Sequence, residues 1–347
     1  MEELHFIEMI VFCLTAEMRI DMKDKVLQIL RETDGFISGQ EICNRLSVSR
    51  TAVWKAIKQL RDEGYGIEAV NNKGYRLDET PDVISEQELR SLFHTEWLGS
   101  KILYFDSIDS TNNELKRQAE SGVHHGLLAV AEEQTAGRGR RGHAWVSPPG
   151  TGIWFSFLLK PEIAPDKASM LTLVAAMAVS RAITEVTGLE SQIKWPNDIV
   201  VNKKKVCGML TELSAEMSCI NYVVIGIGIN ANMKEFPDDI KETASSLYIE
   251  SGRPVKRAAV IEAVARYFEK YYAEFVKAGD LSPIMHEYNE MLANAGKQVR
   301  IITNDSEQVY TAIGINPQGE LVVKDDKGEM SEIRSGEVSV RGLYGYV

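Results

Sequence analysis

Nine consecutive residues, Gln134-Thr-Ala-Gly-Arg-Gly-Arg-Arg-Gly142, place three arginines and three glycines between Gly137 and Gly142. The glycines let the backbone turn tightly and come close to a ligand. The arginines bring fixed charge on planar, forked donors that match carboxylate and phosphate oxygens. Taken alone, the stretch also reads as a solvated basic loop or a nucleic-acid patch. Three other stretches carry usable groups. Asp109-Ser-Thr-Asn-Asn113 offers hydroxyls and amides to a polar ligand, although Ser110 or Thr111 could equally cap the helix that follows. Lys194-Trp-Pro-Asn-Asp198 puts a lysine at a strand end before a proline turn, and Pro196 fits a plain β-turn as well. Gly226-Ile-Gly-Ile-Asn230 ends a strand on small residues, where backbone can lie against a planar ring. It lacks the third glycine and the following helix of a dinucleotide fingerprint, so a bulge or tight crossing also fits.

These stretches must be positioned by a large α/β domain. A helix opens at the capping box Ser85-Glu-Gln-Glu88 and runs through Phe93. Strands are expected at Lys101–Phe105, Leu127–Glu133, Gly152–Leu159, Ser191–Trp195, Asp198–Val201, Val206–Leu213 and Tyr222–Ile229. Helices are expected at Asn113–Glu120, Lys167–Thr187, Lys256–Ala278 and Pro283–Leu292. Several strands follow one another without helices between them, which predicts a mixed or antiparallel α+β sheet. From Gly296 onward short alternating strands (Gln298–Thr303, Tyr310–Ile315, Leu321–Lys324, Glu329–Arg334, Glu337–Val340) predict a small SH3-like barrel.

The N-terminal side has its own character. Residues 22–80 carry ten Lys/Arg and nine Asp/Glu in a chain whose net charge is −11. Met22–Thr33 has Val26, Leu27 and Leu30 on a helical stripe. A second helix follows the Ser38-x-x-Glu41 capping box, and Ser49 caps a third that runs to about Glu63. Ile67–Val70 and Tyr75–Leu77 flank the turn Asn71-Asn-Lys-Gly74. This order predicts a winged helix-turn-helix, with the motif over Ser38–Ile57. Arg50, Thr51, Trp54, Lys55 and Lys58 face DNA, and Lys73 sits on the wing. A small helical protein-interaction module is the plainer alternative. Residues 1–21 hold five acids and one arginine around a short apolar run, and read as an N-terminal extension of unknown role.

Bulk properties limit the choices. At 347 residues with 44% hydrophobic side chains, the chain supports two or three cored domains. The acidic balance argues against a surface that coats nucleic acid everywhere. Cys13, Cys43, Cys207 and Cys219 show no C-x-x-C spacing, as in reduced thiols of a cytoplasmic protein without a metal framework. The most apolar helix candidate has about 13 uncharged residues, fewer than the ~20 of a bilayer span.

Taken together and in this order, the four motifs, the preceding winged helix and the following barrel resemble the bacterial bifunctional biotin–protein ligase and biotin-operon repressor family over about residues 22–342. The pair G-R-G-R-R-G and K-W-P-N-D is the specific part. The resemblance implies domains at 22–80 (DNA binding), 83–295 (catalytic) and 296–347 (SH3-like). It implies ATP with Mg²⁺ and biotin as substrates, and biotinyl-5′-AMP as intermediate and co-repressor. The implied partners are a biotin carboxyl carrier domain, a palindromic operator and a second copy in a ligand-linked homodimer, with no membrane. Joining a carboxylate to an α-phosphate brings two anions together, which demands preorganised cations. The resemblance assigns catalysis to Arg138, Arg140 and Lys194. It assigns biotin to Ser110, Thr111, Asn112, Gln134, Arg138, Gly139, Arg140 and Lys194. It assigns ATP and the adenylate to Arg140, Arg141, Asn197, Gly226, Gly228 and Asn230. No residue is identified as the base for the acceptor amine, Asp198 being only a candidate. The glycine-rich loop is expected to order over its ligand.

Three rival readings remain at this stage. A biotin-sensing transcription factor without catalysis would not need so many phosphate-seeking charges. A lipoate–protein ligase shares the reaction type, but its substrate has no ureido ring. A nucleic-acid-modifying enzyme would need a wider basic surface.

Overall fold

The computed structural model describes residues 22–79, 82–123, 125–302, 307–335, 339–342 and 346–347. The expected extension 1–21 lies outside them, as do Thr80 and Pro81 of the linker. The described residues divide into two compact units, 22–83 with 90–92, and 84–89 with 93–347.

In the first unit, α1 (Met22–Glu32), α2 (Gly39–Leu46) and α3 (Arg50–Asp62) precede an antiparallel pair, β1 (Gly66–Val70) and β2 (Gly74–Glu79). Val26, Leu27, Leu30, Ile42, Val53, Ile57 and Leu60 pack into one core, as the helical spacing requires. Ser38 and Ser49 accept from the amides of Glu41 and Ala52 and so cap α2 and α3. Only half of the expected capping box forms at α2, because the Glu41 carboxylate turns to Arg45 instead. Ser47 takes a left-handed conformation between the helices. Ile37 exchanges both backbone hydrogen bonds with Tyr75, which fastens the hairpin to the segment before α2.

The second unit contains α4's first turns (the helix spans Glu86–Leu92) and a seven-stranded mixed sheet. Its strands are β3 (Ile102–Ile108), β4 (Leu128–Gln134), β5 (Ile153–Leu159), β6 (Gln192–Lys194), β7 (Asp198–Val201), β8 (Lys204–Ala215) and β9 (Ile220–Ile229). The spatial order is β3-β4-β5-β9-β8-β7-β6. Only the β3–β4 pair is parallel, and α5 (Thr111–Glu120) forms its crossover. Every residue of β5 is buried, so both faces of the sheet centre are covered. Helix α6 (Met170–Thr187) packs in this core with α8 (Arg257–Ala278), which also packs on α9 (Ser282–Met291), while α7 (Leu247–Ser251) is tied to the segment just after β9. Counted from Pro165, the α6 segment is 23 residues long and apolar enough to cross a membrane, longer than the uncharged stretch alone indicated. Most of it is buried inside the protein, as for a core helix.

Five strands end the chain: β10 (Gln298–Ile302), β11 (Glu307–Ile315), β12 (Leu321–Lys324), β13 (Met330–Ile333) and β14 (Ser339–Gly342). They form an antiparallel sheet in the order β13-β12-β11-β10-β14. The expected strand at Glu337–Val340 begins outside the described residues, and β14 extends to Gly342. Trp195 Nε1 donates to Gly319 O at 3.0 Å, and Asn289 Oδ1 accepts from Ile315 N at 2.7 Å. The first bond ties the small sheet to the K-W-P-N-D turn and the second ties it to α9.

Candidate functional site

The four motifs converge on one cavity of about 570 Å³ at the ends of β4 and β6 and along β8 and β9. On one wall, α5 begins at Thr111, directly after β3. Ser110 occupies the N-cap position without capping through its side chain. Gln134 does that work from β4, its Oε1 accepting from Thr111 N at 2.9 Å. Thr111 Oγ1 lies 2.6 Å from Ser156 Oγ, and Ser156 donates to Asn112 Oδ1 at 2.6 Å. Asn112 Nδ2 donates to Glu212 Oε2 at 2.8 Å, and Lys116 holds the other oxygen of Glu212 at 2.7 Å. Buried polar groups are thus paired along an unbroken network.

The basic loop is a small hairpin. Trp145 N donates to Gly137 O, and Gly139 N donates to His143 O. A Cβ at Gly137 would sit 2.4 Å from Trp145 O, so only glycine allows this closure. At the tip, Arg140–Gly142 forms a 3-10 turn with Arg141 at φ 56. Arg138 and Arg141 are exposed, whereas Arg140 turns inward and donates to Asn197 Oδ1 at 2.8 Å. Burial lowers the Arg140 pKa, the nearby Asp198 opposing that shift. Arg140 is therefore a partly desolvated guanidinium, held in place by the K-W-P-N-D turn.

Lys194 is 5% exposed. Burial lowers its pKa to about 8; Asp198 opposes this, and Lys205 and Arg341 reinforce it. The Tyr346 ring covers the amine, with 3.3 Å from Nζ to the ring centroid. Asp198 is engaged on both sides. Its Oδ1 pairs with Lys205 at 2.6 Å and accepts from Asn197, and its Oδ2 accepts from Tyr346 OH. A carboxylate with its lone pairs so committed is poorly placed to take a proton from an incoming amine.

Gly226 and Gly228 point the same way on β9, beside Gly208 of β8. An added Cβ on Gly226 would lie 2.2 Å from Asn112 Oδ1, and one on Gly228 would lie 2.6 Å from Trp145 Nε1. The glycines thus form a flat floor, and the planar ring resting on it is the Trp145 indole, whose Nε1 is buried without a hydrogen bond.

The sequence-derived site residues Ser110, Thr111, Asn112, Gln134, Arg138, Gly139, Arg140, Arg141, Lys194, Asn197, Gly226 and Gly228 all line this cavity. Asn230 does not; its amide donates to Ser245 O and steadies the loop after β9. The motifs did not point to Ser156, Trp145, Glu212 or Tyr346. Ser156 did carry a signal, as the one polar residue in the apolar run Ile153–Leu159.

Comparisons with known proteins agree with this picture in outline. Residues 104–230 match the biotin/lipoate A/B protein ligase family, residues 23–76 an HTH domain, and residues 295–341 the biotin protein ligase C terminal domain. The bifunctional ligase/repressor BirA of Bacillus subtilis is 39% identical over 93% of this chain and 100% of its own length. That of Escherichia coli is 28% identical over 92% and 99%. A biotin protein ligase from Aquifex aeolicus, solved in complex with biotin and ATP, superposes with a TM-score of 0.62 at 32% identity. It covers 70% of this chain and 99% of that one.

Proposed function

The chain belongs to the family of the bifunctional ligase/repressor BirA, and from that premise we propose how its residues divide the work. The protein is an ATP-dependent biotin–protein ligase and a biotin-responsive repressor. In the first step a biotin carboxylate oxygen attacks the α-phosphorus of ATP and pyrophosphate leaves. In the second, the amine of an acceptor lysine attacks the carbonyl carbon of biotinyl-5′-AMP and AMP leaves.

One observation carries the reading. Arg140 and Lys194, both drawn out of water, share a cavity with the neutral polar wall of Thr111, Asn112 and Gln134. The neutral wall suits the ureido ring, which has two N–H donors and one carbonyl. The cationic side suits the carboxylate and the phosphates, and desolvated cations stabilise developing negative charge far better than hydrated ones. We assign the carboxylate and α-phosphate to Arg138 and Arg140, and the carboxylate end and departing phosphates to Lys194. Arg141 assists with pyrophosphate. The Gly226–Gly228 floor takes the adenine side, with Trp145 giving way. Mg²⁺ arrives with ATP and neutralises phosphate charge.

In the DNA-binding unit, Arg50, Thr51, Trp54, Lys55 and Lys58 form an exposed face of α3, and Lys73 lies on the β1–β2 turn. We assign α3 to the major groove and the β1–β2 hairpin to a wing. The C-terminal five-stranded sheet is assigned to an SH3-like barrel, and the three domains to 22–80, 83–295 and 296–347. A twofold homodimer formed with biotinyl-5′-AMP would present two α3 helices to a palindromic operator. The acceptor is a biotin carboxyl carrier domain, and the setting is cytoplasmic.

Biotin-dependent exchange of pyrophosphate into ATP tests the central claim. Exchange should require biotin and fall by roughly 10²-fold or more in Lys194→Ala and in Arg140→Ala, as expected when a preorganised charge is removed. Wild-type protein that binds biotin but shows no exchange would leave the sensor reading in its place.

A further inference from the structure

We propose that Ser156 is a positioning residue that sets the hydrogen-bond polarity of the cavity wall, so that the wall accepts only a ring bearing an N–H donor. The inference rests on the ligase reading above and deepens it. Each hydroxyl of the buried network carries a single proton, and its neighbours decide where that proton goes. Asn112 Nδ2 faces Leu210 O at 3.2 Å and Glu212 Oε2 at 2.8 Å, both acceptors, so the orientation of this amide is fixed. Its Oδ1 therefore faces Ser156 and must receive the Ser156 proton. A hydroxyl has one proton, so Ser156 has none left for Thr111 and can only accept from it. The Thr111 proton is then spent on Ser156 at 2.6 Å, and is not available to Gln134 Oε1 at 3.1 Å.

The far end of the network is equally committed. Gln134 Nε2 donates to Ser147 Oγ at 3.1 Å, which turns Oε1 toward Thr111. Thr111 Oγ1 and Gln134 Oε1 thus stand side by side on the wall as two acceptors with no proton between them. Such a pair is satisfied when a ligand supplies an N–H. A cyclic urea does so. The dithiolane of lipoate does not, and would leave the remaining lone pairs of both oxygens facing an apolar ring, with only the Thr111 N–H and Ser156 contacts they already have. Sites built to hydrogen-bond an N–H discriminate strongly against analogues that lack it. Ser156 itself is fully buried in the middle of β5, so its role is exerted through Thr111 and Asn112.

Without the Ser156 hydroxyl, the Thr111 proton is free to swing to Gln134 Oε1 and the acceptor pair collapses into an internal bond. Steady-state pyrophosphate exchange on the full chain tests this, with biotin and with its two cyclic carbamate analogues, each replacing one ureido N–H by oxygen. Ser156→Ala should raise the KM for biotin by about tenfold or more, the loss of roughly one buried hydrogen bond. The KM for ATP should stay within about twofold, since its cationic contacts do not run through Ser156. Wild type should use at least one carbamate far less well than biotin, and Ser156→Ala should narrow that gap. Ser156→Thr keeps the donor on a strand that tolerates β-branching, and should restore both values. An unchanged biotin KM with unchanged discrimination in Ser156→Ala overturns the proposal. If that variant does not fold, wild type decides: use of both carbamates as well as biotin overturns the proposal equally. Absence of biotin-dependent exchange in wild type is a different result and rejects the ligase reading itself.

Discussion

The Tyr346 ring lies on the Lys194 amine, 3.3 Å from Nζ to the ring centroid, while its hydroxyl donates to Asp198 four residues further along the same turn. Tyr346 thus closes over the cation proposed above to meet the biotin carboxylate and the departing phosphates. Burial holds the Lys194 pKa near 8, against an ordinary 10.5. Below about 8 the amine is an ammonium and attracts the carboxylate and phosphates; above it the charge is lost. Exchange activity should therefore fall as pH rises through about 8, while Lys194→Arg, which stays charged, should show no such alkaline limb. A pH–rate profile from 6 to 10 checks this. The same depression means that the unfolded chain binds this proton more tightly than the folded one. The charged amine therefore costs stability at neutral pH and the penalty fades as pH climbs past 8. Lys194→Met should accordingly raise the Tm, by an amount equivalent to about 1–3 kcal/mol, while abolishing exchange.

Tyr346→Ala separates the cover from the cation. With the ring gone, water reaches Lys194 and its pKa should return toward the ordinary lysine range, because desolvation is the largest cause of the shift. The alkaline limb should move up by about one pH unit. The KM for ATP should fall, since the ring no longer competes for the face of the amine. Profiles that coincide with wild type would mean that the tail does not shape this site.

The architecture was readable because most elements announce themselves locally. The amphipathic helices α1–α3, two of them capped by serine, and the apolar strands β4, β5 and β9 lie within a residue or two of their expected ends. The four motifs were legible as chemistry because arginine, lysine and glycine are unusual at that density. Pairing was not legible. The contact of Tyr346 with Asp198 spans 148 positions, and no periodicity points to it. Trp145 fills the glycine floor through a loop closure that only tertiary packing fixes. Asn230 looked like a ligand contact from its place in the motif, yet a backbone carbonyl at Ser245 claims its amide. Ser156 was visible as a polar interruption of an apolar strand, but its partners lie 44 and 45 residues away.

The glycine floor gives the most localised steric test. A methyl group on Gly226 would sit 2.2 Å from Asn112 Oδ1, inside any tolerated contact, and the strand on either side prevents retreat. Gly226→Ala should therefore push the Asn112 amide off Ser156 and raise the KM for biotin by about tenfold or more. Gly228→Ala would instead meet the Trp145 indole at 2.6 Å. Its effect should appear mainly in the KM for ATP. Kinetics that place both effects on the KM for ATP would contradict the route from Gly226 through Asn112 to the biotin wall.

The exposed face of α3 carries two kinds of residue, and they should fail differently. Lys55 and Lys58 are exposed cations, and Trp54 stands 55% exposed between them and the helix start, with Lys58 Nζ 5.8 Å from its ring. If the lysines meet phosphates, each Lys→Ala change releases about one fewer counterion. The slope of log K against log salt should then become shallower by about 1 per lysine, on any duplex. Trp54→Ala removes an apolar contact and no charge. It should leave that slope unchanged while weakening binding to a duplex selected for this protein more than binding to random sequence. Ser49→Ala serves as the control, because it unties the α3 N-terminus from Ala52 N at a cost of about 1 kcal/mol. Its loss should therefore appear in the Tm before it appears in the salt slope. Fluorescence anisotropy over a salt series, with biotin and ATP present, distinguishes these outcomes. Lysine variants whose slopes match wild type would move the DNA-contacting face away from α3.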